Sequence, residues 1–200
     1  MSSCWINGNL VDDHSAAISI RDTGLLHGAG IFTTMRAYRR RVFRLDYHLE
    51  RLRRSAQAMF VPISYSDEQI SSAIAQLLEA NELTEARLRL TITRGTMSND
   101  PVHGLRLDPN IFITATALEA YPQEYYQKGM TVLAYDQQKA NPFDVQAGHK
   151  TLDYFSRFTA MRQASNRGAG EALWFNIFNY LQSGSISNVF IVKNSQLLTP

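Results

Sequence analysis

From Ala86 to Thr93 the chain alternates without a break, with Leu88, Leu90 and Ile92 on one side and Arg87, Arg89, Thr91 and Thr93 on the other. A period of two marks an extended strand, because successive side chains leave a pleated sheet on opposite faces. Such a strand buries its apolar face and offers two guanidiniums on the other. Gly30 to Tyr38 (G-I-F-T-T-M-R-A-Y) and Arg41 to Arg44 read as further strands, joined by a polar turn at Arg39 and Arg40 that no Gly or Asn marks.

The period then changes. Leu45, Leu49, Leu52, Ala56 and Met59 recur at helical spacing and predict a helix over Asp46 to Phe60, ended by Pro62. His48, Arg51 and Ser55 share a different face of it. A second helix starts near Ser66, which forms a capping-box pattern with Gln69, while Asp67 and Glu68 suit the positive end of its dipole. Ile70, Ile74, Leu77 and Leu78 are its buried stripe. Arg94 to Asp108, with Gly95, Pro101 and Gly104, reads as a loop, and Ile111 to Ala115 as a strand. Ala117 to Gln127 is polar, aperiodic and carries Pro122, so it reads as a linker between residues 1–116 and 128–200. Beyond it, Thr131 to Tyr135, Glu171 to Asn176 and Ile186 to Val192 read as strands, and Asp153 to Arg167 as a helix stopped by Gly168. Two α/β lobes with a ligand cleft between them are expected.

Composition narrows the function. The single cysteine, Cys4, excludes an internal disulfide and reads as a small buried side chain. No stretch approaches the roughly 18 apolar residues that span a bilayer, and Met1 to Leu10 lacks a signal-peptide pattern. A cytoplasmic protein with no membrane partner is expected. The net charge of +2 is too small to argue for nucleic acid. Yet 16 of the 20 basic residues are Arg, and eight of those lie between Arg36 and Arg54. Arginine's planar fork suits phosphate and carboxylate, so an anionic small molecule is the leading ligand class. A nucleic-acid module built on that cluster is the weaker alternative, because few aromatics interleave with the arginines.

Five segments, in order, resemble the class IV pyridoxal-phosphate aminotransferases: Asp22 to Arg36 (D-T-G-L-L-H-G-A-G-I-F-T-T-M-R), His48 to Ala56 (H-L-E-R-L-R-R-S-A), Arg87 to Gly95 (R-L-R-L-T-I-T-R-G), Lys150 to Tyr154 (K-T-L-D-Y) and Gly184 to Phe190 (G-S-I-S-N-V-F). Leu198 to Pro200 resembles the stretch that comes after the fifth motif in the family. Each segment is weak alone; the ordered set is specific. The family includes branched-chain and D-amino acid aminotransferases and 4-amino-4-deoxychorismate lyase. The resemblance implies an α+β fold of the D-amino acid aminotransferase type (pyridoxal-phosphate fold type IV), with the cofactor between two α/β lobes, and a homodimer.

The resemblance also implies residue roles. Lys150, one of only four lysines, would join the pyridoxal phosphate aldehyde and act as the catalytic base. A lysine amine can be lowered in pKa by desolvation or neighbouring cations, which that chemistry requires. Arg51 would bind the cofactor phosphate, Tyr154 its phenolic oxygen, and Ser183, Ser187 and Asn188 would lie beside its ring. Arg36, Arg89, Phe32 and His27 would meet the amino acid or oxo acid substrate. No metal is assigned.

Four positions depart from the family. Ser183 stands where a glutamate usually keeps the pyridine nitrogen protonated, His27 where tyrosine is common, Thr33 where glutamate is, and Asp153 where asparagine is. A serine can hydrogen-bond an unprotonated nitrogen but cannot hold a proton there by charge. The arginine and histidine that trap substrate carboxylate in D-amino acid aminotransferases have no counterpart in Gly95 to His103. The family's G-x-L-x-G-x-T-R phosphate segment is not among these residues, so either they are a piece of a longer chain or the phosphate site is incomplete. Amino-group transfer is the leading expectation, with lyase-type elimination and a non-catalytic family member as the alternatives.

Overall fold

The structure is a computed structural model that describes residues 2–100 and 104–200, with only the backbone described at 100, 104, 105 and 138. The chain divides into two compact units: Met1–Glu119 with His149–Asp153, and Ala120–Gly148 with Tyr154–Pro200. The division falls inside the segment read as a linker, and His149–Asp153, expected in the second lobe, rejoins the first unit.

The first unit opens with β1 (Ser3–Ile6), β2 (Asn9–Asp12), α1 (Thr23–His27), β3 (Gly30–Tyr38), β4 (Arg41–Val42), α2 (Leu45–Ala58) and α3 (Asp67–Ala80). It continues through β5 (Ala86–Thr93), β6 (Thr96–Asp100), β7 (Gly104–Asp108) and β8 (Ile111–Ala117). Six strands form one antiparallel sheet in the order β2-β1-β8-β5-β3-β4. The alternation read from Ala86 to Thr93 is that sheet's middle. Leu88, Leu90 and Ile92 are buried with Ile31 and Met35 of β3 and Ile113 of β8, under Leu49 and Leu52 of α2 and Ile74, Leu77 and Leu78 of α3. The opposite face carries Phe32, Thr34 and Arg36 on β3 against Thr91, Arg89 and Arg87 on β5. Cys4 is buried, and burial pushes its thiol pKa up, as its small-side-chain reading requires.

Local chemistry explains the ends of these elements. Ser66 and Gln69 form both halves of the capping box. Arg39 and Arg40 both adopt positive φ, 48° and 61°, as a tight turn whose twist matches its flanking strands demands, here without glycine. Arg94 to Asp108 is not a plain loop: β6 and β7 pair as a hairpin. Residues 101–103, including Pro101 and His103, lie outside the described residues. Gly95 leads into the hairpin at φ +72°, and any Cβ there would strike the backbone of Asp108.

α1 is held by a carboxylate. Asp22 is fully buried and accepts hydrogen bonds from Gly24 N, Thr93 Oγ1 and Asn110 Nδ2, each at 2.6 Å. It therefore caps α1 and ties it to β5 and the start of β8. Asp22→Ala leaves these donors without their acceptor, so unfolding free energy is expected to fall by about 1–3 kcal/mol. An unchanged denaturation midpoint would show that water replaces the carboxylate at no cost.

The second unit holds α4 (Gln123–Lys128), β9 (Val132–Ala140), α5 (Phe155–Asn166), β10 (Glu171–Asn176), β11 (Leu181–Gly184), β12 (Ile191–Lys193) and β13 (Gln196–Leu198). β9 and β10 are parallel, so a crossover must join them, and α5 lies within it. Ala160 and Ala164 of α5 pack with Tyr135, Ala172 and Trp174, small residues letting the helix approach the sheet. Part of the linker reading is helical (α4), and the strand read over Ile186 to Val192 shrinks to β12, paired only with β13.

Candidate active site

Lys150 lies on an extended segment beside β3, ahead of the helix. Phe32 N donates to Lys150 O at 2.9 Å, Leu152 N donates to Gly30 O at 2.9 Å, and Thr151 bridges Ile31 between them. Its Nζ is 5.6 Å from the centroid of the Phe32 ring, and the side chain is half-buried. Phe32, on the outer face of the sheet, is nonetheless only 5% exposed. The Arg89 guanidinium lies 3.6 Å from its centroid, so a desolvated cation–aromatic contact adds to the burial. Arg89 Nε also donates to Thr91 Oγ1 at 3.2 Å.

The His48–Arg51–Ser55 face of α2 meets this same region. Ser55 Oγ and His149 Nδ1 are 3.0 Å apart, fixing the residue before Lys150. Arg51 Nη2 donates to Thr33 Oγ1 at 2.8 Å, and Thr33 Oγ1 is 2.9 Å from His48 Nδ1. A guanidinium can only donate. The fully buried Thr33 hydroxyl therefore accepts from Arg51 and passes its own hydrogen to His48 Nδ1, so neutral His48 carries its proton on Nε2. A glutamate at position 33 would pair with Arg51 and cancel its charge. Thr33 accepts a hydrogen bond from Arg51 without bringing a charge of its own.

The electrostatics agree with this assignment. Burial pushes the His48 imidazole below the usual histidine range, and the charge of Arg51 pushes the same way, followed by that of Lys150; Asp46 opposes them. The unfolded imidazole takes its proton near pH 6.5, and the folded one only at lower pH. Above that window both states are neutral and His48 has no effect. As pH falls into it the unfolded chain binds the proton first, so stability drops. His48→Gln is accordingly expected to lose less stability than the parent between about pH 8 and about pH 5.5. Equal losses in paired denaturant titrations would refute that assignment.

These donors fit a phosphorylated aldehyde. Arg51 offers a fork for phosphate oxygens, the Thr33 hydroxyl and His48 lie against it, and a primary amine stands nearby. Arg53 and Arg54 do not compete. Arg53 Nε donates to Asp67 Oδ1 at 2.7 Å and its Nη2 to Tyr65 O at 2.8 Å, while Arg54 is exposed. Arg36 is exposed, over the ring of Tyr38, and His27 is exposed at the end of α1.

The remaining candidates lie in the second unit. Tyr154, half-buried, precedes α5, and Ser183 lies opposite Trp174 where β11 pairs with β10. Ser187 and Asn188 follow in the irregular segment after β11. Sequence reasoning missed the group that organises it, Glu171. This buried carboxylate accepts from Ser185 N at 3.0 Å and from Ser187 Oγ at 2.7 Å. A Cβ at Gly184 would collide with Ser187 Oγ and stand 2.8 Å from Glu171 Oε2, so a side chain there would displace that contact. Sequence reasoning missed Arg157 as well. Its Nη1 donates to Gly184 O and Ser185 O at 3.0 Å each and to Ser183 Oγ at 3.2 Å. Among the described residues no helix is long and apolar enough to cross a membrane.

Comparison with known proteins agrees over almost the whole chain. The sequence pattern of the family described as amino-transferase class IV matches residues 30–200. A putative branched-chain-amino-acid aminotransferase of Methanocaldococcus jannaschii is 34% identical over 98% of this chain and 67% of its own. An aminodeoxychorismate lyase of Bacillus subtilis is 26% identical over 98% of this chain and 66% of its own. Among solved structures, branched-chain amino acid aminotransferase of Escherichia coli superimposes with a TM-score of 0.88 at 26% identity, covering 100% of this chain and 67% of that one. The chain thus spans about two thirds of the length of these relatives. With the ordered motifs and these matches in agreement, the chain belongs to the class IV amino-transferases, a family of pyridoxal-phosphate-dependent aminotransferases and lyases.

Proposed function

We propose that this chain transfers an amino group between an amino acid and a 2-oxo acid, with pyridoxal phosphate held on Lys150. The observation that carries the reading is the His149–Asp153 segment bridged to β3 at Thr151, with the Lys150 amine over Phe32 and the Arg51–Thr33–His48 network beside it. Bound pyridoxal phosphate supplies an aldehyde that links to an amine and a ring that draws electrons from the substrate carbon. Lys150 Nζ would hold the aldehyde and, as a free amine, would serve as the base that moves the proton off the substrate carbon. Its backbone pairing to β3 orients it before substrate arrives. Arg51 grips the phosphate. Tyr154 would serve the phenolic oxygen, and Ser183, Ser187 and Asn188 the ring. Arg89 and Arg36 take the substrate carboxylate, with Phe32 and His27 lining its side chain. A cytoplasmic homodimer belongs to the same proposal. Exposed Leu25, Phe43 and Tyr47 on the first unit support the pairing, and the lone buried cysteine suits a reducing compartment.

The test is direct. The protein is mixed with pyridoxal phosphate, the visible absorption band recorded, the mixture reduced with borohydride, and the labelled peptide mapped. Label on Lys150 is expected. Label spread over Lys128, Lys139 and Lys193, or none, would sink the reading. Turnover that requires a 2-oxo acid acceptor then separates transfer from elimination, which requires none.

A further inference from the structure

The segment His149–Asp153 belongs to the first unit, while the chain before and after it belongs to the second. Main-chain bonds hold its middle, from Phe32 N to Lys150 O and from Leu152 N to Gly30 O. Toward its exit, Leu152 Cδ1 lies 2.6 Å from where a Cβ on Gly30 would stand, so the segment lies close on β3. At its entry the contact is between side chains: His149 Nδ1 is 3.0 Å from Ser55 Oγ. Ser55 is on α2 and only 4% exposed. A buried hydroxyl in mid-helix ordinarily turns back to a carbonyl of the preceding turn. This one reaches across to the segment that carries Lys150.

Arg51 stands one helical turn before Ser55, about 6 Å along the axis. The contacts therefore close a ring. Arg51 donates to Thr33, and Phe32, next to Thr33, donates to Lys150 O. His149, next to Lys150, meets Ser55, and α2 leads from Ser55 back to Arg51. We propose that Ser55 and His149 are positioning residues that lock the Lys150 segment to α2, so that the amine and the Arg51 guanidinium keep one fixed separation. The inference rests on the reading above, in which this amine takes an aldehyde whose phosphate Arg51 grips, and it adds the pair that sets the two ends in register. A ligand of fixed length between phosphate and aldehyde rewards that register, because docking one end delivers the other to the amine. Without the Ser55–His149 contact the ring opens, and only its β3 side still ties the amine to α2. Both residues act through a neighbour, His149 on Lys150 and Ser55 on the helix that carries Arg51.

The experiment compares two aldehydes. Cofactor-free protein is mixed with pyridoxal phosphate or with pyridoxal, which lacks the phosphate, and the rate at which borohydride-fixed label accumulates on Lys150 is followed by peptide mapping. The parent is expected to favour pyridoxal phosphate. In Ser55→Ala that preference is expected to fall roughly 10- to 100-fold, the scale for a misplacement of about 1 Å. Affinity for inorganic phosphate, read by phosphorus-31 NMR, is expected to stay at the parent's value, because Arg51 is intact. Ser55→Thr, which keeps the hydroxyl, is expected to keep the preference. If Ser55→Ala melts early, His149→Ala, which alters only the half-buried partner, carries the test with the same expectation. A parent-like preference in the variant that carries the test overturns this proposal alone. So does a phosphate affinity that falls as far as the preference, since the pair would then serve Arg51 rather than the amine. Label spread over the other lysines of the parent, or none, overturns the pyridoxal-phosphate reading and this proposal with it.

Discussion

Lys150→Ala is expected to abolish covalent capture of pyridoxal phosphate and to lower amino-group transfer by roughly 10²–10⁴-fold or more, the range for losing a positioned acid–base group. The structure makes this test clean. The segment around Lys150 is held to β3 by main-chain contacts, Lys150 O with Phe32 N and Gly30 O with Leu152 N, which truncating the side chain leaves intact. Ser55 and His149 remain in contact beside it. The variant should therefore keep the parent's fold, checked by circular dichroism, and its loss can be assigned to the amine. Lys150→Arg separates charge from chemistry: it restores a cation near His48 but offers no amine, so it too should take no borohydride label. Retained label in either variant would move the linkage to another lysine.

The sequence was most legible where structure follows a local period. Alternation from Ala86 to Thr93 specified a central strand with a buried apolar face, although Thr91 and Thr93 on the other face are buried too, and the face shared by His48, Arg51 and Ser55 is the one that meets Thr33 and His149. The Ser66–Gln69 box capped α3 because both partners lie within one turn. Legibility failed where partners are distant. Asp22 reads as a routine polar residue until the chain brings it to Thr93 and Asn110, 71 and 88 positions away. The β6–β7 hairpin carries too few apolar residues for its period to show, and α1 is too short for one. Ile186 to Val192 looked like a strand by composition, yet Glu171 takes the amide of Ser185 just before it, and only its end pairs.

The candidate site divides the same way. Motif order pointed to Lys150 and Arg51, but not to how they are held. Thr33 stood out only as a departure from the family; its role between Arg51 and His48 appears once β3 and α2 are side by side. Glu171 and Arg157 had no pattern to announce them, because each works on a turn that follows β11, 14 and 27 positions further along the chain for their contacts with Ser185 N and Gly184 O. A buried acid just before an apolar strand is the signal that could have revealed Glu171, since an ionisable group is buried only where donors await it.

Arg51→Ala is expected to weaken pyridoxal phosphate binding by roughly 10- to 150-fold, the equivalent of about 1.5–3 kcal/mol for one charge-assisted hydrogen bond to phosphate. Three arginines share this stretch of α2, and their partners separate them. Arg53 is committed to Asp67 and Tyr65 O, and Arg54 faces solvent, so Arg53→Ala and Arg54→Ala should leave affinity within about twofold of the parent. Arg51 contacts the neutral Thr33 hydroxyl and lies 3.4 Å from His48 Nδ1. Arg51→Lys should recover only part of the loss, since an ammonium keeps the charge and forfeits the fork. The same contacts give a second readout. Arg51 is a main charge holding the His48 pKa down, so Arg51→Ala should raise that pKa in an NMR titration of the cofactor-free protein. Weaker affinity with an unmoved imidazole would mean that the guanidinium acts on phosphate from elsewhere than the Thr33 network. Equal losses from all three arginine variants would return the cluster to a diffuse basic surface.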